Sequence, residues 1–164
     1  MPAKRPLPRT DVTPAGKLSE ACLHHVLGYQ LAQATIVTNQ VFLEHAGEPF
    51  GLRPVEYTVL TLIDENPGGS LVRLARALAV TAPNITAVVD RLEARGWVQR
   101  TQSENDRRSQ VLHTTPRGAE LARKATGQIL ASEKQALSHL SLGEQTILIE
   151  LLHKVACARQ AASA

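Results

Sequence analysis

Apolar residues recur at spacings of three and four along most of this chain, and that rhythm divides it into helices. Between Lys17 and His45 there is no proline and one glycine, while Leu18, Cys22, Val26, Tyr29, Ile36, Val37 and Leu43 recur at helical intervals. The pattern predicts one long first helix. Gly47, Pro49 and Gly51 punctuate a loop, after which Pro54 suits the first position of a helix ending near Glu65, with Val55, Val59, Leu62 and Ile63 as its apolar face. The N-P-G-G run from Asn66 to Gly69 stops it.

Ser70 is placed to cap a third helix reaching about Leu78, with Leu71, Leu74, Ala75 and Leu78 inward. A break at residues 79–81 leads to Thr81 as the cap of the next helix, which tolerates Pro83 because a first-turn amide has no intrahelical partner. In this stretch, running to Arg95, Ile85, Val88, Val89 and Leu92 form one stripe. Pro83, Asn84, Thr86, Ala87 and Arg91 lie elsewhere on the cylinder. Two short helices joined by a tight turn, the second with a small polar N-terminal face, form the helix-turn-helix pattern.

Gly96 reads as the residue that ends this helix. Alternation over residues 97–101 and 110–114 predicts a β-hairpin whose long polar tip carries Asp106, Arg107 and Arg108, a wing beside the helix. Thr115 and Pro116 then start a helix with Leu121, Ala125, Ile129 and Leu130 inward, running towards Leu137. Ser141 and Glu144 have capping-box spacing at the head of a last helix whose Ile147, Leu148, Leu151, Leu152 and Val155 require a partner surface. The fold class is mainly α with a small β-hairpin wing.

Composition agrees with this and adds a location for charge. Apolar residues make up 43% of the 164, enough for a core, and only five side chains are aromatic, which favours aliphatic helix packing. The net charge is only +3, yet eight arginines against four acids between Ser70 and Arg117 concentrate it on the predicted helix-turn-helix and wing. Cys22 and Cys157 suggest neither a disulfide framework nor a zinc site, and no histidine spacing suggests a metal. No cofactor is expected. The absence of a long apolar run and of a signal-type segment predicts a cytoplasmic protein. No glycine-rich phosphate loop, nucleophile elbow or paired-carboxylate motif points to an enzyme, and a hydrolase or oxidoreductase using Cys22 with His24 or His25 has nothing beyond residue identity behind it.

Several motifs in this order resemble the MarR family of winged helix-turn-helix regulators: G-L-R-P-V-E-Y-T-V-L-T-L-I from Gly51, L-A-R-A-L-A-V-T from Leu74, V-V-D-R-L-E-A-R-G-W-V from Val88, D-R-R-S from Asp106 and T-T-P-R-G from Thr114. The resemblance covers the chain from about Leu18 onward. Four prolines with Lys4, Arg5 and Arg9 near the start predict a flexible basic arm over residues 1–16, and the resemblance implies a dimerisation region at 17–50, a winged helix-turn-helix domain at 51–118 and dimerisation helices at 119–164. It further implies a homodimer on double-stranded DNA, reading a pseudo-palindromic operator as a repressor. By the same resemblance Pro83, Asn84, Thr86 and Ala87 lie near base edges, and Ser70, Thr81 and Arg91 near the backbone. Asp106 holds Arg108 for the minor groove, and Arg107 meets phosphate. The chain departs from many relatives at Ser103, Glu104 and Thr114.

Regulators of this family often release DNA on binding a small aromatic acid or phenol between the dimerisation helices and the winged domain. His24, His25, Tyr29, Arg53 and Tyr57 are the candidate lining here. Cys22 lies near the reactive cysteine of a peroxide-sensing branch, without that branch's tyrosines, since Val26 stands four residues on. Redox sensing through Cys22 and non-specific architectural DNA binding are the alternatives.

Overall fold

The computed structural model describes residues 12–102 and 110–161, with side chains through Arg159. Its elements are α1 (Leu27–Phe42), α2 (Glu48–Phe50), α3 (Pro54–Glu65), α4 (Leu71–Leu78), α5 (Ala82–Ala94), β1 (Val98–Gln102), β2 (Gln110–Thr114), α6 (Pro116–Ala136) and α7 (Leu142–Ala161). The chain divides into two compact units at Gln40/Val41.

The first helix starts ten residues later than the spacing predicts. Gly16 and Lys17 both take left-handed backbone conformations, with φ of 75° and 54°, and Val12 bridges Ser19. Tight turns follow, in which the amide of Leu23 donates to the carbonyl of Glu20 and that of Val26 to Leu23. Side chains from α1 secure them: the Tyr29 hydroxyl donates to Glu20 Oε2 at 2.5 Å, and Gln30 Nε2 donates to the His24 carbonyl at 2.9 Å.

In the second unit the segment expected to be a loop stays helical. A wide turn over Leu43–Gly47 runs into α2, where Pro49 occupies the first turn and needs no amide partner. Only Gly51, with φ of 61°, ends it. Gly47 is enclosed, since a side chain there would meet Phe42, Leu43 and the Leu52 carbonyl.

The core joins α3, α5, β2 and α6, with Val59, Leu60, Ile63, Ile85, Val89, Leu92, Leu112 and Ala125 almost wholly out of solvent. The α5 stripe is buried throughout. In α3 the buried row is Glu56, Val59, Leu60 and Ile63, so Val55 is exposed and a carboxylate takes the inward place expected for it. On α6 the inward positions are Ala122 and Ala125, flanked by half-buried Leu121 and Ile129, and Leu130 is exposed.

Local chemistry sets the element ends. Ser70 Oγ accepts from the Arg73 amide, Thr115 Oγ1 from the Gly118 amide, and Ser141 with Glu144 completes the capping box. Gly96, with φ of 69°, closes α5 in a Schellman motif: its amide reaches the Glu93 carbonyl and the Trp97 amide the Leu92 carbonyl. Thr81 stands at the cap of α5 but makes no side-chain capping bond. Pro83, at the second helical position, lacks an amide such a cap would bond.

Candidate nucleic-acid interface

Helix α5 presents Pro83, Asn84 and Ala87 to solvent, with Thr86 half-buried. Asn84 makes no side-chain hydrogen bond among the described residues, so both ends of its amide are open to a base edge. The Thr86 hydroxyl donates to the Ala82 carbonyl at 2.9 Å, which leaves it an acceptor towards outside groups. Helix α4 packs against α5 through Leu74 and Ala75, with Ala79 in a left-handed conformation at the turn between them (φ 52°). Ser70, already the cap of α4, is half-buried, and Thr81 is exposed.

The arginines divide into two groups. Arg91 Nε lies 2.9 Å from Glu56 Oε1. Arg95 stacks over Trp97, 3.7 Å from the ring centre, and donates to the Gly51 carbonyl at 2.7 Å and to Phe50 at 3.3 Å. Arg100 on β1 reaches back to α5, to Asp90 at 2.5 Å and to Glu93. These three brace α5 against the α2–α3 corner and the base of the hairpin. Arg73, Arg76 and Arg117 are exposed and form no ion pair among the described residues, leaving them to supply positive potential.

β1 and β2 pair antiparallel, Val98 opposite Thr114 and Gln102 opposite Gln110. The loop after α3 is fastened to this hairpin, because the amide of Gly68 donates to the Leu112 carbonyl and that of Leu112 to Gly69, both at 2.9 Å. Asp106, Arg107 and Arg108, the expected wing contacts, lie outside the described residues.

The arrangement is a winged helix-turn-helix, and the comparisons agree. The MarR family model matches residues 52–110. An HTH-type transcriptional repressor of Mycobacterium tuberculosis is 31% identical over 129 residues, covering 79% of this chain and 92% of the relative. This chain belongs to the MarR family. Among solved structures, the repressor CouR bound to a 23-mer DNA duplex is similar at a TM-score of 0.76 with 33% identity, over 85% of this chain and 98% of that one. PcaV from Streptomyces coelicolor, in complex with its natural ligand, shares the fold at a TM-score of 0.72 and 21% identity, over 84% and 96% of the two chains. As a MarR-family protein the chain is a DNA-binding transcriptional regulator, a class distinct from enzymes.

The residues expected around an effector fall in both units. In the first, Glu20, invisible to the sequence reading, gathers them: it accepts from Tyr29, and its other oxygen lies 3.9 Å from His24 Nδ1. The shared bond with this carboxylate raises the Tyr29 pKa, burial and repulsion adding to it. His24 and His25, which would diverge on a helix, meet edge to face at 5.1 Å because they sit in the turn instead. In the second unit the Tyr57 hydroxyl lies 2.9 Å from Thr126 Oγ1, and Thr126 donates onward to the Ala122 carbonyl at 2.8 Å, so Tyr57 is the donor between them. Arg53 is exposed at the start of α3. None of the five lines the pocket of about 230 Å³ formed by residues of α3, α4 and the turn between them, including Leu62, Asn66, Ser70 and Arg73. Cys22 is exposed, as is Cys157, whose Sγ is 3.7 Å from His153 Nε2. Among the described residues no single helix is long and apolar enough to cross a membrane.

Proposed function

We propose that this regulator is a repressor that binds a pseudo-palindromic operator as a homodimer, with α5 in the major groove, and that a small aromatic carboxylate or phenol releases it. The observation that carries the DNA reading is the outward face of α5, where Asn84 stands with its amide open between Pro83 and Ala87, above a stripe fixed in the core. An asparagine amide matches adenine in the major groove, and small apolar neighbours tolerate a thymine methyl. Ser70, Thr81 and Arg91 serve the flanking backbone in this reading. Asp106, Arg107 and Arg108 serve the wing.

Dimerisation through residues 17–50 and 119–164 is supported by the apolar groups that α1 and α7 leave exposed, among them Ile36, Ile149 and Leu151. The effector reading takes as candidates His24, His25 and Tyr29 in the first unit and Arg53 and Tyr57 in the second, which offer imidazoles, phenols and a guanidinium to an aromatic acid. A thermal-shift screen of aromatic acids, followed by DNA release with each hit, tests it, since a ligand bound only by the native state raises apparent stability.

Binding to upstream DNA, measured by mobility shift at several salt concentrations, tests the core of the proposal. Asn84→Ala is expected to cost about 1–3 kcal/mol at one base position only. Uniform weakening over all sequences would move Asn84 to the backbone. Arg108→Ala is expected to lower affinity and flatten the salt dependence by about one counterion. An unchanged slope would remove the wing from the DNA.

A further inference from the structure

We infer that Glu56 is a positioning residue for DNA recognition: it holds Arg91 on the reading face of α5 with the Nε–H of its guanidinium already committed. The inference rests on the reading of α5 as the DNA-contacting helix and adds a residue outside that helix to the machinery.

Asn84, Ala87 and Arg91 are separated by three and then four residues, so they share one stripe of α5, with Arg91 about 10 Å further along the axis. Arg91 therefore extends the same face towards the edge of a groove, where phosphates lie. A free arginine there would sample many rotamers and lose that freedom on binding. This one is anchored. Its Nε is bonded to Glu56 Oε1 at 2.9 Å, while the side chain remains 44% exposed. Among the described residues its terminal amino groups have no other partner, so they stay open to a phosphate.

Glu56 suits the part because it is itself immobile. Its side chain is only 5% exposed, and its second oxygen accepts the Arg53 amide at 3.1 Å, in the first turn of α3. A buried carboxylate is costly unless paired and hydrogen-bonded, and both partners and the helix N-terminus supply what it needs. Burial alone would raise its pKa, but the Arg53 amide and Arg91 together outweigh that and lower it, so the anchor stays charged at neutral pH. Arg95, 4.0 Å from the same carboxylate, is occupied by Trp97 and two carbonyls and cannot replace Arg91.

Glu56→Gln, Arg91→Met and the double variant separate positioning from general stability. Each is measured for affinity and salt slope on operator DNA, for thermal midpoint, and by NMR of the Arg91 Nε–H. Wild type is expected to show a distinct, slowly exchanging Arg91 Nε–H signal that Glu56→Gln abolishes. Glu56→Gln is expected to lose about tenfold in affinity, and Arg91→Met a similar factor together with about one counterion of salt slope. The double variant should bind no worse than Arg91→Met, since nothing is left to position, and should melt above it, since no buried carboxylate is left unpaired. Wild-type affinity in Glu56→Gln, or losses that multiply in the double variant, would overturn the inference while leaving the operator reading intact. Failure of the wild type to bind upstream DNA would bring down the operator reading and this role with it. Absence of the protected Nε–H signal would overturn the anchoring itself, whatever the DNA result.

Discussion

Gly118→Ala is expected to destabilise the protein by about 3 kcal/mol or more, lowering its melting temperature by roughly 6–12 °C, although the change adds one methyl group to a helix. A Cβ at Gly118 would lie 1.9 Å from the Trp97 carbonyl oxygen and 2.8 Å from its carbon. Neither side can yield cheaply. The same carbonyl accepts the Thr115 amide at 3.0 Å, and Thr115 Oγ1 donates to the Gly96 carbonyl at 2.8 Å while accepting the Gly118 amide at 3.1 Å. The first turn of α6 is thus fastened to the exit of α5, and accommodating a methyl means parting α5, the base of the hairpin and α6. Gly127→Ala in the same helix is the control, because nothing lies within 4 Å of its would-be Cβ. It should stabilise by up to about 1 kcal/mol through helix propensity. Thermal melts of the two variants check the pair. A Gly118→Ala midpoint within about 2 °C of wild type would show that the two backbones separate freely.

That contrast marks what the sequence could reveal. Features set within one or two turns were legible: the caps at Ser70, Thr115 and Ser141, the glycine that ends α5, and the stripe Ile85, Val88, Val89 and Leu92, because each needs only residues a few places away. Features set by distant partners were not. Glu56 displaces Val55 from the inward row because Arg91, 35 residues on, neutralises it. Arg95 and Arg100 counted as available positive charge until their partners at Gly51, Asp90 and Glu93 appeared. The false start of the first helix has the same cause: periodicity over residues 17–26 cannot register the bond from Tyr29 back to Glu20, or the left-handed turn at Gly16 and Lys17. For the candidate site, the outward residues of α5 were readable from their spacing. The residues that hold the helix in place were not.

The second large effect is expected from Leu148→Glu combined with Leu152→Glu on α7. Both side chains are exposed, at 41% and 39%, and they stand one turn apart on a helix that also exposes Ile147, Leu151 and Val155. Leaving such a row in water forgoes roughly 25 cal/mol for each Å² of apolar surface, so a second protein surface is the natural cover. Two glutamates there would each have to be buried uncompensated against the partner, while a monomer would simply hydrate them. The double variant should therefore fold, with the α3–α5 core untouched, yet sediment as a monomer. Operator affinity should fall about 100-fold or more, because two linked readers gain by effective concentration what one cannot. Affinity for a DNA half-site should stay close to that of the wild type, since α5 and its braces from Glu56 and Arg100 lie in the winged domain. Analytical ultracentrifugation with binding to full and half operators makes the comparison. A variant that still sediments as a dimer would place the subunit interface elsewhere. Equal losses on both DNAs would mean that α7 supports the reading helix within its own chain, where Arg159 already donates to the carbonyls of Arg76 and Ala77 at the end of α4.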